Sequence, residues 1–145
     1  PEINDLVSRL QNHLQSIDRQ SIHNAVVRYS EIGIQNIIIY CDFTDDRNLF
    51  ETDNFQGKNL TYINTKHPFY TKVISRLKDV NNNDVLVSIE LLISSLSRTS
   101  ENYNLSQEKR EDIRDYCFNA SLDLRSLLRS RQLTEINTDD EILID

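Results

Sequence analysis

The sequence predicts an α+β domain, and three observations carry that reading. Apolar residues recur at spacings of three and four over most of the chain, one central stretch drops to a period of two, and glycine and proline are nearly absent. Two glycines and two prolines in 145 residues lie far below the usual ~7% and ~5%. Little is left for glycine-rich phosphate loops, so long helices must dominate. Hydrophobic residues at 38% and charged ones at 27% suit a soluble fold, and the length suits one core. The predicted domain covers residues 1–134, with an acidic tail at 135–145.

The first element is a long amphipathic helix over 2–30. Ile3, Leu6, Val7, Leu10, Leu14, Ile17, Ile22, Ala25, Val26 and Tyr29 make one stripe. The stripe thins at Asp18, Arg19, Gln20 and Ser21, which predicts a kink or a change of packing partner there. Leu6, Leu10, Leu14 and Ile17 serve either the domain's own core or a dimer interface; the sustained heptads of a coiled coil are missing. Gly33 suits the helix exit.

The period then switches to two. In "NIIIYCDF", Ile37, Ile39, Cys41 and Phe43 share one face while Ile38, Tyr40 and Asp42 share the other. A turn at "TDDRN", a short strand at "LFET", a turn around Gly57 and a last strand at "LTYIN" complete an antiparallel meander of two to three strands over 36–64. Such a sheet is not stable alone in water, so one face must pack against the helices.

Helices are predicted over 68–80, 84–98 and 106–132. Pro68 fixes its own φ, suits a first helical turn and forces His67 out of the α region. His67 is thereby a natural cap, with Asn64 and Thr65 positioned to accept from free amides. Phe69, Tyr70, Val73, Ile74 and Leu77 follow at helical spacing. "NNND" at 81–84 breaks that helix and caps the next, whose stripe of Val85, Leu86, Ile89, Leu92, Ile93 and Leu96 predicts the most buried helix of the fold. Ser106 and Glu108 open the last one. Its closing turns hold Arg125, Arg129 and Arg131, cations that complement a helix dipole.

His67 is the sharpest candidate for chemistry, because imidazole alone titrates near neutrality unperturbed. Its one plausible carboxylate partner is Asp42, on the neighbouring strand. A hinge from strand to helix accounts for the same residues without any reaction, and this is the reading adopted; a small hydrolase using His67 and Asp42 is the alternative kept for test. His13 and His23 sit ten apart, about 80° from one another on a helix, so no metal site is expected. Cys41 and Cys117 lack a CxxC partner and read as thiols in apolar settings.

The net charge of −7 is uneven, since Glu135, Asp139, Asp140, Glu141 and Asp145 all follow the last basic residue, Arg131. Without them the body is close to neutral. It lacks the basic footprint of nucleic-acid binding, and no apolar run reaches the roughly 20 residues of a membrane span. Neither partner is expected. An initial proline running straight into helical sequence, with no methionine anywhere, reads as a piece of a longer cytoplasmic polypeptide.

The order strand, turn, strand, Asn-x-x-His-Pro-Phe-Tyr and two apolar helices resembles the region that follows the ATP-binding domain in bacterial GHKL-type ATPases, the gyrase, heat-shock chaperone, histidine kinase and MutL superfamily. "LTYINTKHPFYTKVI" and "VLVSIELLISSLSR" carry the resemblance, with residues 21 to 43 as support, about two thirds of the chain. It implies an accessory domain that dimerises or relays nucleotide state beside the ATPase domain of the same polypeptide. Asn64, His67, Pro68, Phe69 and Tyr70 then mark its strand-to-helix junction. The family's Asn-x-x-x-Asp-like helix and Asp-x-Gly-x-Gly lids have no counterpart here, so this piece is expected to be non-catalytic and to need no cofactor. A free-standing interaction module, recruiting a partner by the acidic tail or an exposed strand edge, is the alternative.

Overall fold

A computed structural model describes residues 2–32 and 36–131 of the chain, so the expected helix exit at Gly33 and the acidic tail at 135–145 lie outside the described residues. The predicted single helix over 2–30 is two helices, α1 (Glu2–His13) and α2 (Arg19–Ile32). The break falls where the stripe thins. Asp18 caps α2, its carboxylate accepting from the Ser21 amide and the Ser21 hydroxyl, both at 2.8 Å. The Ser21 amide holds that carboxyl below the usual carboxylate range. Gln11 spans the connection, donating to the carbonyls of Leu14 and Ile17.

Three strands follow: β1 (Asn36–Cys41), β2 (Phe50–Phe55) and β3 (Lys58–Asn64). They do not form the expected antiparallel meander. The order is β1-β3-β2, with β2 antiparallel to β3 and β1 parallel to it. β2 and β3 make a tight hairpin through Gln56 and Gly57, both at positive φ (50° and 80°), the left-handed pair that a two-residue hairpin turn requires. β3 therefore runs between its two predecessors, and residues 42–49 must carry the chain across the end of the central strand.

Asn64, at that end, makes the crossing possible. Its side-chain N–H groups donate to the carbonyls of Asp45 and Asn48, both at 2.8 Å. Its oxygen accepts from the amides of Phe43 and Lys66. One amide side chain thus satisfies three backbone groups of the crossing loop and the Lys66 amide beyond β3.

Both faces of the sheet are covered. Leu6, Val7, Leu10, Ile22 and Val26 of α1 and α2 pack on Ile37, Ile39, Phe55 and Leu60. On the opposite face Ile38, Phe50 and Ile63 meet the later helices. This is why "IIIY" is apolar at consecutive positions, the pattern of a strand buried on both sides.

A π-helical turn (Tyr70–Ile74) runs directly into α3 (Ser75–Asp79), filling the predicted span 68–80. α4 (Asn83–Ser100) is capped by Asn82 and α5 (Gln107–Arg129) by Ser106. α4 departs most from expectation. The side chains it buries are Leu86, Glu90, Ile93, Ser94, Ser97 and Ser100, while Val85, Leu91, Leu92 and Leu96 are exposed. It is rotated by about a residue from the phase its leucines suggest, because small serines let the helix sit close on the sheet. Ser97 hydrogen-bonds with Thr61 at 2.7 Å and Thr52 at 2.9 Å. Asn59 accepts from both Ser97 and Thr61.

Candidate functional site

The His67 junction is the natural starting point. Parallel pairing brings the end of β3 beside the end of β1, and the chain then turns at residues 65–67 into the helical stretch. His67 is fully buried. Its Nε2 lies 2.9 Å from the Ser121 carbonyl, which can only accept, so the proton sits on Nε2. Nδ1 is then a lone pair and accepts from the Phe69 amide at 3.0 Å. The His67 carbonyl accepts from Tyr70 and Thr71. His67 is a helix cap by side chain and main chain together, and its far edge fastens the turn to α5.

Burial lowers its pKa from the usual histidine value against the opposing pull of the Ser121 carbonyl. A neutral ring with both nitrogens committed has no lone pair left to act as a base. Asp42 is engaged elsewhere, accepting from the Thr65 hydroxyl. It lines a groove of about 720 Å³ that holds Asp18, Cys41 and Glu51 but not His67. The pair named for hydrolysis is thus not joined by a hydrogen bond.

The thiols offer no better nucleophile. Cys41 is pushed up to about 11 by burial, with Asp42 adding to the effect, and burial raises Cys117 as well. Among the described residues no group of three or more His, Cys, Asp or Glu side chains is placed to hold a metal ion, and no helix is long and apolar enough to cross a membrane.

Two charged clusters escaped the sequence reading, since their members lie far apart in the chain. Asp46, in the crossing loop, pairs with Arg125 at 2.9 Å and with Arg129. Burial pushes its carboxyl up, but the two guanidinium groups win and hold it below the usual range. These arginines tie α5 to the loop as well as suiting a helix end. The second cluster centres on Glu90, buried beneath α4. Arg28 of α2 grips it, Nε lying 3.1 Å from each carboxylate oxygen, and the Tyr40 hydroxyl donates to it at 3.0 Å. Arg28 thereby reaches from one helical layer to the other past the outer side of β1. A groove of about 440 Å³ lies beside it, lined by Ile38, Tyr40, Arg28 and Lys78 among others. Lys78 lies over the Tyr40 ring, 3.8 Å from its centroid.

The candidate interface of the first helix also finds its place. Leu6 and Leu10 are core side chains, at 8% and 0% exposure, and Leu14 and Ile17 pack against the same core. They do not offer the dimer face considered for them. The apolar surface lies on the other side of the molecule. Between α4 and α5 runs a groove of about 400 Å³, walled by Ile89, Leu92, Leu96, Tyr116, Ala120 and Leu124, with Phe50 and Phe69 among the residues beneath. Leu92 is 64% exposed and Tyr116 75%. No charged residue lines the groove.

No protein-family model, no curated protein and no solved structure matches the chain.

Proposed function

We propose that the chain is a non-catalytic accessory domain of a larger ATPase, and that it joins two copies of itself through the α4–α5 face. The observation that carries this reading is the phase of α4. The helix spends serines and a paired glutamate on the core beside Leu86 and Ile93, and leaves Leu91, Leu92 and Leu96 outside, next to an apolar groove. Contiguous exposed apolar surface of this kind marks an interaction site.

A second copy is the occupant that charge favours. No charged residue lines the groove, so two copies can bury their apolar walls against each other without opposing like charges. Size sets the strength. Eighteen residues of α4 extend about 27 Å, and a two-helix face of that length offers on the order of 500 Å², short of the roughly 800 Å² per partner of a standard interface. The contact is therefore weak by itself and effective when neighbouring domains raise the local concentration. In a larger ATPase, pairing of this kind brings two nucleotide-binding domains together and couples their states.

Light scattering over a concentration series tests the reading. The apparent mass should rise from 17.0 kDa toward twice that value, with a Kd in the range of about 10–100 μM. Leu92→Asp combined with Leu96→Asp should keep it monomeric without loss of helix signal. A wild-type chain monomeric to about 1 mM, or an aspartate variant that still pairs, overturns the proposal.

A further inference from the structure

We infer that the outer edge of β2 and the facing side of α5 form an acceptor groove for an extended peptide, apolar on one side and basic on the other. This surface is distinct from the self-association contact, although Phe50 and Cys117 border both. The register determines which backbone groups point outward. The Asn64 amide donates to the Leu49 carbonyl at 2.8 Å, and the two-residue turn pairs Phe55 with Lys58. Residues 49, 51, 53 and 55 therefore bond inward to β3, and the amides and carbonyls of Phe50 and Thr52 face away. Neither has a backbone partner on that side among the described residues.

Those outward groups border a groove of about 540 Å³. Asn48, Phe50, Glu51 and Thr52 form one wall; Arg114, Asp115 and Phe118 stand on the other. An edge strand facing a helix across an open groove is the arrangement in which peptides add a strand to a sheet. The two edges of the sheet differ, because the Arg28–Glu90 pair and Tyr40 stand beside β1 while no such ion pair spans the outer side of β2 among the described residues.

Charge chooses the occupant. Arg114 is neutralised by Glu101, whereas Glu51 and Asp115 are exposed and form no ion pair among the described residues. The groove is therefore acidic. In an added strand alternate side chains point to opposite faces. One set would meet Cys117 and Phe118, and the other would stand on the Glu51 side of the sheet. Valine or leucine suits the first set, lysine or arginine the second. Acidic segments, including residues 135–145 of this chain, carry the wrong sign.

The probe is a blocked heptapeptide of alternating lysine and valine, added to the monomeric Leu92→Asp/Leu96→Asp chain so that self-association plays no part. Amide hydrogen exchange is the decisive readout. Phe50 and Thr52 should slow by about tenfold or more at about 1 mM peptide, while Glu51 and Asp53, already bonded to β3, change little. Glu51→Lys with Asp115→Lys should weaken binding about fivefold or more, and a glutamate–valine heptapeptide on the unaltered groove should bind weaker by a similar factor. The inference is overturned if Phe50 and Thr52 gain no protection, or if the two peptides bind equally well. Peptide binding without self-association of the wild-type chain would sink only the dimer reading, and the reverse result only this one.

Discussion

At the scale of single residues, His67 and Asn64 show how much a junction can ask of one side chain. Truncating His67 to alanine removes a fully buried ring and strands both the Ser121 carbonyl and the Phe69 amide, so it should cost about 2–4 kcal/mol in urea unfolding. The same residue makes stability depend on pH. Burial keeps its native pKa below the ordinary value of about 6.5, so under acid the unfolded chain takes up a proton that the native state refuses. Its contribution is whole above about pH 6.5 and shrinks as pH falls toward the depressed native pKa. A urea series at stepped pH should show that slope in the wild type and its loss in His67→Gln. Asn64→Asp replaces two donors with a charge aimed at the carbonyls of Asp45 and Asn48, and should destabilise by about 2–4 kcal/mol. The sequence pointed to both residues through the Asn-x-x-His-Pro pattern. It concealed what Asn64 holds in the crossing loop, because those partners lie 16 to 21 positions earlier.

At the scale of elements, the lesson lies in α4. Apolar spacing announced a helix there, and its length was legible to within two residues at either end. Its phase was not. Two apolar stripes compete on that helix, and the winning face is settled by hydroxyls that meet Thr52, Thr61 and Asn59 of other elements. The same blindness hid the Arg28–Glu90 pair, whose members are separated by 62 positions. Glu90→Gln leaves the Arg28 guanidinium facing a neutral partner, and should cost about 2–4 kcal/mol. Replacing the pair together, Arg28→Met with Glu90→Leu, should recover most of that loss, since an apolar pair needs no desolvated charges. Differential unfolding of the three chains measures the coupling. The hairpin turn gives a smaller effect: Gly57→Ala meets no neighbouring atom but places a Cβ at φ 80°, at a cost of about 1 kcal/mol.

At the scale of the whole molecule, the α+β class was readable from periodicity; the consecutive isoleucines of β1 put apolar residues on both of its faces, but only one packed face was expected of the sheet. Strand order was not readable. A strand's pattern tells which faces are buried but never which neighbour stands beside it, and the eight residues between β1 and β2 are short enough to suggest a hairpin. The structure instead sends them over the top of a strand that has not yet been reached. That arrangement bears on biosynthesis. As the polypeptide leaves the ribosome, β1 emerges with its run of isoleucines and has no strand to pair with until residue 64 has followed. Only then can β3 slide between its predecessors and Asn64 fasten the crossing. A nascent chain stalled in the crossing segment should expose an adhesive strand to chaperones, and one released after the hairpin should not.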